Sequence, residues 1–106
     1  MTPTSFVRVA DIEVDPELRD AFISAVKEEM NESIRVEPGV LALYCVAEKD
    51  DPSRLRFFEI YANEAAYDRH LQSPHFRKYR ATTEPMIRSR ALVETVPIQL
   101  SSKTPW

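Results

Sequence analysis

Two neighbouring apolar runs constrain the fold more than any other part of the sequence. Val40–Ala47 contains no charged residue, and residues 55–61 contain only two, Arg56 and Glu59. The polar residues 48–54 connect the runs, which favours an antiparallel β-hairpin with a long loop. A strand without charges buries side chains on both of its faces. Helices of the same chain can cover one face of this hairpin, and we expect a second copy of the protein to cover the other.

The size and charge of the chain indicate one globular domain and exclude some partners. A chain of 106 residues has room for one core, which we place at about residues 5–98, followed by a tail, residues 99–106. Trp106, at the end of this tail, has no role that the sequence explains. The formal net charge is −3, and the acidic balance without a basic stripe argues against nucleic acid as a partner.

The cysteine content and the lack of long apolar stretches indicate where the protein works. Cys45 is the only cysteine, so no intramolecular disulfide can form, and a reducing compartment is expected. Within its apolar run, Cys45 is expected to be a small buried hydrophobic residue. No stretch approaches a membrane span, and residues 1–5 lack the features of a secretory leader. We therefore expect a cytoplasmic protein without a membrane partner.

The first helix is predicted from its start signal, its apolar stripe and its end. Asp15 can cap the helix, and Pro16 suits the first helical position. The helix is expected to end near Val36, because Pro38 disfavours helical geometry before it and Gly39 permits a sharp reversal. Apolar residues at intervals of four are expected to lie against the sheet: Leu18, Phe22, Val26, Met30 and Ile34.

The other elements complete an order of strand, helix, strand, strand, helix, strand. Residues 6–14 and 90–96 have strand character. Asn63 is a plausible N-cap of a second helix, and the Ser73-Pro74 pair starts a further helix that Pro85 ends. This order predicts an α+β, ferredoxin-like βαββαβ fold, with a four-stranded antiparallel sheet and helices on one face.

Two histidines, His70 and His75, are the first candidates for chemistry. His70 could act as a general base, or it could bridge helical elements through a buried hydrogen bond. His75 follows the start of its helix, where a partly exposed structural role is favoured. The two residues are five apart across a proline, so their spacing does not form a metal-binding motif.

Glu59 is the third candidate, because it lies in an apolar strand. A carboxylate there needs a partner or has a raised pKa. A salt bridge to Arg8 or Arg56 and a catalytic role are both open. Strand alternation places Glu59 and Tyr61 on the same face. Tyr44 has the opposite parity to its apolar neighbours in its strand and is interpreted as packing at the dimer face.

Several segments resemble the antibiotic biosynthesis monooxygenase family. They match, in order and spacing, the family's E-P-G-x-L, E-x-W and E-A-x-x-x-H-x-x-S-P-H-F pattern. The carrying segments are EPGVL at 37–41, DPSR at 51–54, FEIY at 58–61, NEAAY at 63–67 and HLQSPHF at 70–76. Family members are dimeric α+β barrels built from this ferredoxin-like unit. The resemblance therefore implies a homodimer that packs sheet against sheet.

The resemblance also allows branches of the family to be compared position by position. Haem-degrading members carry an asparagine, a tryptophan and a histidine where this chain has Ala10, Tyr61 and Arg80. Arginine cannot ligate haem iron, so haem is rejected. Phe57 stands where polyketide-tailoring oxygenases have a cavity asparagine, whereas their tyrosine is retained as Tyr67.

The resemblance implies a cofactor-independent monooxygenase that oxidises a small quinol, phenolic or related enolisable substrate. Dioxygen is the co-substrate, and no haem, flavin or metal is expected. The candidate catalytic residues are His70 as base, Tyr61 and Tyr67 as hydrogen-bond donors, and Glu59. The expected ligand is a small apolar or aromatic molecule, and its candidate binding residues are Arg8, Phe57, Leu71, His75, Phe76 and Tyr79.

Two other functions remain open from the sequence. One is a cofactor-free isomerase of a hydroxy-dicarbonyl compound, in which the same base moves a proton without dioxygen. The other is a non-catalytic ligand-binding or stress-related dimeric barrel, in which neither histidine faces a cavity. Oxygen uptake separates the first from a monooxygenase, and a pocket beside His70 disfavours the second.

Overall fold

The computed structural model describes residues 4–103, which form a four-stranded antiparallel sheet with three helices on one face. The strands lie in the order β2-β3-β1-β4. Two short 3-10 helices, Pro16–Leu18 and Glu84–Met86, precede α1 and β4. No helix in the described part of the chain is both long and apolar enough to cross a membrane. The elements are β1 (Phe6–Val14), α1 (Arg19–Val36), β2 (Val40–Ala47), β3 (Arg54–Tyr61), α2 (Glu64–Gln72), α3 (Pro74–Thr83) and β4 (Ile87–Glu94). The predicted α+β, ferredoxin-like architecture is confirmed.

The pairing of β3 with both neighbours fixes which side chains face the helices. Glu59 lies opposite Arg8 of β1 and Leu43 of β2. Because side chains alternate along a strand, Phe57, Glu59 and Tyr61 project from the same face as Arg8. This is the face that α1, α2 and α3 cover, so the hairpin brings its one buried carboxyl group under the helices.

The helix starts follow the predicted capping residues. Asp15 caps the 3-10 turn before α1 by accepting a hydrogen bond from the Glu17 amide at 3.0 Å. Asn63 accepts from the amide three residues later at 2.8 Å, and Ser73 does so for α3 at 3.2 Å. These caps satisfy amides that the first turn of a helix leaves unpaired. Ser73 also ends α2, so one residue sets the angle between two helices of the site.

The buried face of α1 differs from the predicted stripe at both ends. Phe22 and Val26 are buried as expected, but Leu18 and Ile34 are 38% and 52% exposed. Successive residues turn by about 100°, so residues spaced by four drift by about 40° per step. The face that stays against the sheet therefore continues through two polar residues, Glu29 and Ser33.

Gly39 is required for a reason other than the predicted reversal. No described glycine has a positive φ angle, so backbone freedom does not explain this position. A Cβ atom at Gly39 would lie 2.5 Å from the Cβ of Ala66 in α2. The missing side chain instead allows α2 to approach the start of β2.

The last strand begins and ends earlier than predicted. It runs from Ile87 to Glu94 and not over residues 90–96. The 3-10 turn after α3 leads directly into pairing with β1, where Val14 lies opposite Ile87 across a register shift. Most residues of β4 are polar or small, and nearly all are exposed. The sequence therefore does not indicate where this strand begins.

The face of the sheet away from the helices is partly covered by the chain itself. Leu100 packs against a small buried cluster formed by Val7, Ala42 and Ile60. Part of the predicted tail is therefore seated on the sheet. Trp106 lies outside the described residues. Other apolar side chains of this outer face remain exposed, namely Tyr44, Val46, Phe58 and Val93.

The contact at Gly39 predicts a specific destabilisation. Gly39→Ala is expected to lower the free energy of unfolding by about 1–3 kcal/mol, because α2 must move away from β2. Urea denaturation followed by circular dichroism measures this loss. In the double variant Gly39→Ala/Ala66→Gly the clash is absent, so the two losses should be less than additive. Additive losses would show that the Cβ contact is not the cause.

Candidate functional site

A single pocket contains nearly all the residues that the sequence nominated. It lies between the helix-covered face of the sheet and helices α2 and α3, and its empty volume is about 610 Å³, including the space open to solvent at its mouth. The nominated residues that line it are Arg8, Phe57, Glu59, Tyr61, Tyr67, His70, Leu71, Phe76 and Tyr79.

His75 is the nominated residue that does not line this pocket. It lines a second pocket together with Glu29 and Tyr79. Its Nε2 is 2.6 Å from Oε2 of Glu37. The predicted substrate contact of His75 therefore does not fit this geometry, and a structural contact does.

Sequence reasoning missed two cationic residues of the pocket. Arg80 and Arg90 line it together with three apolar residues, Ala10, Ile12 and Leu92. Arg80 was considered only as the replacement of a haem ligand. Its spacing of four from Phe76 on α3 was the available signal, because residues four apart share a helix face.

His70 is held between two carboxylates that the sequence did not pair with it. Its Nδ1 is 2.8 Å from Oε2 of Glu37, and its Nε2 is 3.2 Å from Oε1 of Glu29. Ser33 donates a hydrogen bond to the same Glu29 oxygen at 2.9 Å. Of the two roles predicted for His70, this geometry supports the buried bridge between helical elements, because both ring nitrogens are occupied.

These carboxylates control the charge of His70. Burial by itself lowers the pKa of His70, but the hydrogen bonds and charges of Glu29 and Glu37 outweigh it, so the pKa lies above its usual value. Burial raises the pKa of Glu37, yet its hydrogen bonds with His70 and His75 bring that pKa below the usual value. The two directions agree, because each group favours the charged form of the other.

One cluster in the site has the residue types of a metal centre. Its potential ligand atoms all lie within 4.8 Å of one another and belong to Glu37, His70 and His75. The spacing of the two histidines forms no metal-binding motif in the sequence. The third group, Glu37, comes from a distant segment of the chain. The Glu37 oxygen is 2.6 and 2.8 Å from the two ring nitrogens, which are hydrogen-bond distances. Ligands of one zinc ion lie about 3.4 Å apart in a tetrahedral site with bonds of about 2.1 Å. The present geometry is therefore that of a proton-sharing network.

Glu59 is the carboxyl group that faces the pocket. Tyr61 donates a hydrogen bond from its hydroxyl to Oε1 of Glu59 at 2.9 Å. Burial raises the pKa of Glu59, and this hydrogen bond only partly opposes the increase. The predicted salt bridge to Arg56 is wrong, because Arg56 projects from the other face and pairs with Asp11 and Glu48. Arg8 lies on the correct face but forms no ion pair with Glu59.

Aromatic rings form the wall beside Glu59. Tyr61 and Tyr67 meet edge to face with centroids 5.0 Å apart, and Phe6 stacks on Tyr67 at the same distance. The guanidinium of Arg8 lies 4.8 Å from the centre of the Tyr67 ring. Burial raises the pKa values of both tyrosine hydroxyls, so they remain protonated donors. A ligand in this pocket therefore meets apolar surface with a few polar groups.

Cys45 is the buried hydrophobic residue that its sequence context predicts. It is a free cysteine, half-buried on the covered face and packed against the main core cluster. Burial, with a smaller contribution from the charge of Glu59, raises the pKa of its thiol to about 11. The thiol therefore stays protonated and does not act as a nucleophile at neutral pH.

The fold and the pocket define a class of protein: a ferredoxin-like α+β domain with a partly apolar ligand pocket under its helices. The sequence profile of the antibiotic biosynthesis monooxygenase family matches residues 5–82. The chain therefore belongs to this family, and the resemblance seen in its motifs is confirmed.

Solved structures and a curated relative agree with this assignment. A protein from Bacteriodes thetaiotaomicron VPI-5482 that carries the family's name is 41% identical, with a TM-score of 0.91 over 96% of this chain and 97% of that one. A candidate monooxygenase from Lactobacillus acidophilus NCFM is 34% identical, with a TM-score of 0.84 over 86% of this chain and 43% of that one. The uncharacterized protein sll1783 of Synechocystis sp. is 32% identical over 73 residues, which are 69% of this chain. The chain spans about half (49%) of that relative's length.

The His70 network predicts how stability depends on pH. The pKa of His70 is raised in the folded state, so its stabilising contribution is complete below about pH 6.5 and is lost as pH rises through the raised value. The free energy of unfolding should therefore fall more steeply above about pH 6.5 in the wild type than in His70→Gln. Urea titrations from about pH 6 to about pH 9 measure both slopes. Equal slopes would show that His70 is not held as a cation.

Proposed function

We propose that the protein is a cofactor-independent monooxygenase that oxidises a small quinol, phenolic or related enolisable substrate with dioxygen. Membership of the family supports a monooxygenase-type function. The observation that carries the proposal for this chain is Glu59, a carboxyl group with a raised pKa in a pocket lined mainly by aromatic and apolar side chains. Such a pocket accepts an aromatic molecule and provides a base beside it.

Glu59 is a better base for this reaction than His70, to which the sequence analysis gave that role. Both ring nitrogens of His70 face carboxylate oxygens of Glu29 and Glu37, so neither is directed at a ligand in the pocket. Glu59 accepts one hydrogen bond, from Tyr61, and keeps further acceptor positions. Its raised pKa makes its carboxylate a stronger base than an exposed glutamate.

The other pocket residues suit the anion that proton removal creates. Tyr67 keeps a protonated hydroxyl at the pocket wall and can donate to a developing oxyanion. Tyr61 donates to Glu59 and so fixes the position of that carboxyl group. Phe57, Leu71 and Phe76 supply apolar walls that limit access of water.

The proposed reaction balances without an external reductant. Glu59 takes a proton from the substrate, and the resulting anion passes one electron to dioxygen. The two radicals combine to a peroxide anion, which takes the proton back from Glu59, and the resulting hydroperoxide loses water by breaking its O–O bond. One oxygen atom enters the product, the other leaves as water, and both hydrogens of that water come from the substrate.

Replacing the proposed base tests this mechanism. Glu59→Gln keeps the shape of the side chain but removes its basicity, and is expected to lower quinol-dependent oxygen consumption by at least about 100-fold. An oxygen electrode measures the rate. Glu48→Gln, a change of the same kind at a half-buried loop residue that does not line the pocket, serves as the matched control. Wild-type turnover in Glu59→Gln would exclude Glu59 as the base, and wild-type substrate conversion without oxygen uptake would favour an isomerase.

We also propose that the protein acts as a homodimer joined through the outer face of its sheet. Tyr44 and Phe58 lie opposite each other on this face and are 47% and 40% exposed. Together with Val46 and Val93 they leave apolar surface on a sheet that the helices cover only from the other side. A stable interface of this kind buries about 1,600 Å².

A charge on the outer face should weaken this dimer. Phe58→Glu is expected to raise the dissociation constant by at least about 30-fold, because the carboxylate would be buried without a partner. Analytical ultracentrifugation over a dilution series measures the change. Ile34→Glu introduces the same charge at an exposed apolar residue of α1 and should leave the dimer intact. A wild-type protein that sediments as a monomer at micromolar concentration would exclude the proposed assembly.

A further inference from the structure

Two arginines of the pocket have no carboxylate partner. Arg8 and Arg80 both line the pocket, and within residues 4–103 neither forms an ion pair or a side-chain hydrogen bond. Each instead lies over an aromatic ring, Arg8 at 4.8 Å from the centre of Tyr67 and Arg80 at 5.3 Å from the centre of Phe76. Their guanidinium groups therefore keep all their hydrogen-bond donors available in a pocket wall.

Most other arginines in the described part of the chain are neutralised. The third arginine of the pocket, Arg90, pairs with Glu84 at 3.1 Å. Ion pairs with carboxylates also hold Arg19, Arg35, Arg54, Arg56 and Arg88. The pocket is thus a place where this chain, despite its net negative charge, leaves two arginines without an ion pair.

The acidic groups near Arg8 do not cancel this charge. Glu59 and Glu94 lie opposite Arg8 in the two neighbouring strands, and neither forms an ion pair with it. Glu59 instead accepts the hydrogen bond that the Tyr61 hydroxyl donates. Both arginines act on the hydroxyl of Tyr67, whose pKa is raised by burial and lowered in part by each of their charges. Arg8, Arg80 and Tyr67 line the same pocket, and the part of its wall at Tyr67 is its cationic edge.

We infer that this edge of the pocket binds an oxyanionic substituent of the ligand, a carboxylate or a phosphate ester, between Arg8 and Arg80. Arginine offers a planar pair of N–H donors that matches two oxygens of such a group. The apolar walls then hold the ring that carries it. The inference extends the proposed function by naming the substrate as an acidic aromatic or enolisable compound, with its acidic group at Tyr67 and its reacting carbon toward Glu59.

Binding of matched probes tests the inference without turnover. Fluorescence titrations of the full-length protein at about pH 7 compare naphthoate, naphthyl phosphate and neutral naphthol, which share one ring system. At least one anionic probe should bind about tenfold more tightly than naphthol. The stronger of the two distinguishes a carboxylate site from a phosphate site. Raising the salt concentration from about 50 mM to about 500 mM should weaken the anionic probes and leave naphthol unchanged.

Variants assign the preference to the two arginines. Arg8→Gln and Arg80→Gln should each reduce the preference for the anion about fivefold, and the double variant should abolish it. Arg77→Gln, on the same helix as Arg80 but bonded to Gln72 outside the pocket, should keep the wild-type preference. Arg80 is exposed, so its variant reports on binding even where Arg8→Gln affects folding.

Two results would overturn the inference. One is equal affinity of the wild type for all three probes, and the other is an anion preference that survives in the double variant. These results are separate from those for the proposed function. Oxygen consumption with neutral quinols alone would uphold the monooxygenase and exclude the anion site, whereas anion binding without oxygen consumption would do the reverse.

Discussion

The site depends on the placement of one imidazole between two carboxylates, one buried and one partly buried. His70 in α2 contacts Glu29 of α1 and Glu37 of the segment before β2, and His75 of α3 reaches the same Glu37 oxygen. These contacts join three helices and the entry to the hairpin. Burying an isolated charge is costly, but here each charged group has a partner of opposite sign within hydrogen-bond distance. The network therefore fixes the helices that form the pocket wall.

The two faces of the sheet carry different kinds of side chains. On the covered face, the register places Arg8, Glu59 and Tyr61 together, so a few polar groups converge in apolar surroundings. On the outer face, the same strands present apolar side chains, only some of which Leu100 covers. Because side chains alternate, a shift of one residue in the pairing of β3 would exchange these surfaces. The bulge-like irregularity at the start of β2 allows Val40 to stay with the core while Tyr44 faces outward.

Much of the fold could be predicted from local signals, and the site could be predicted only in part. Asp15, Asn63 and Ser73 determine helix starts through hydrogen bonds within a few residues, which a sequence displays directly. Glu29 and Glu37 acquire their roles from His70, more than 30 residues away, and no local pattern reports such a pair. Arg80 was visible by its helical spacing from Phe76, but whether its charge was compensated depended on which carboxylates the fold brings near it. The sequence explains Gly39 by a chain reversal, whereas the structure requires glycine there because Ala66 of the distant helix α2 lies against it.

The position of Cys45 has a consequence for the oxidation of its thiol. It lies on the covered face of β2, opposite Phe57 in the register, and burial raises the pKa of its thiol to about 11. Peroxides attack thiolates far faster than thiols, and the damage proceeds through sulfenic to sulfinic acid. A cysteine whose thiol stays protonated is therefore oxidised by peroxides more slowly than a thiolate would be.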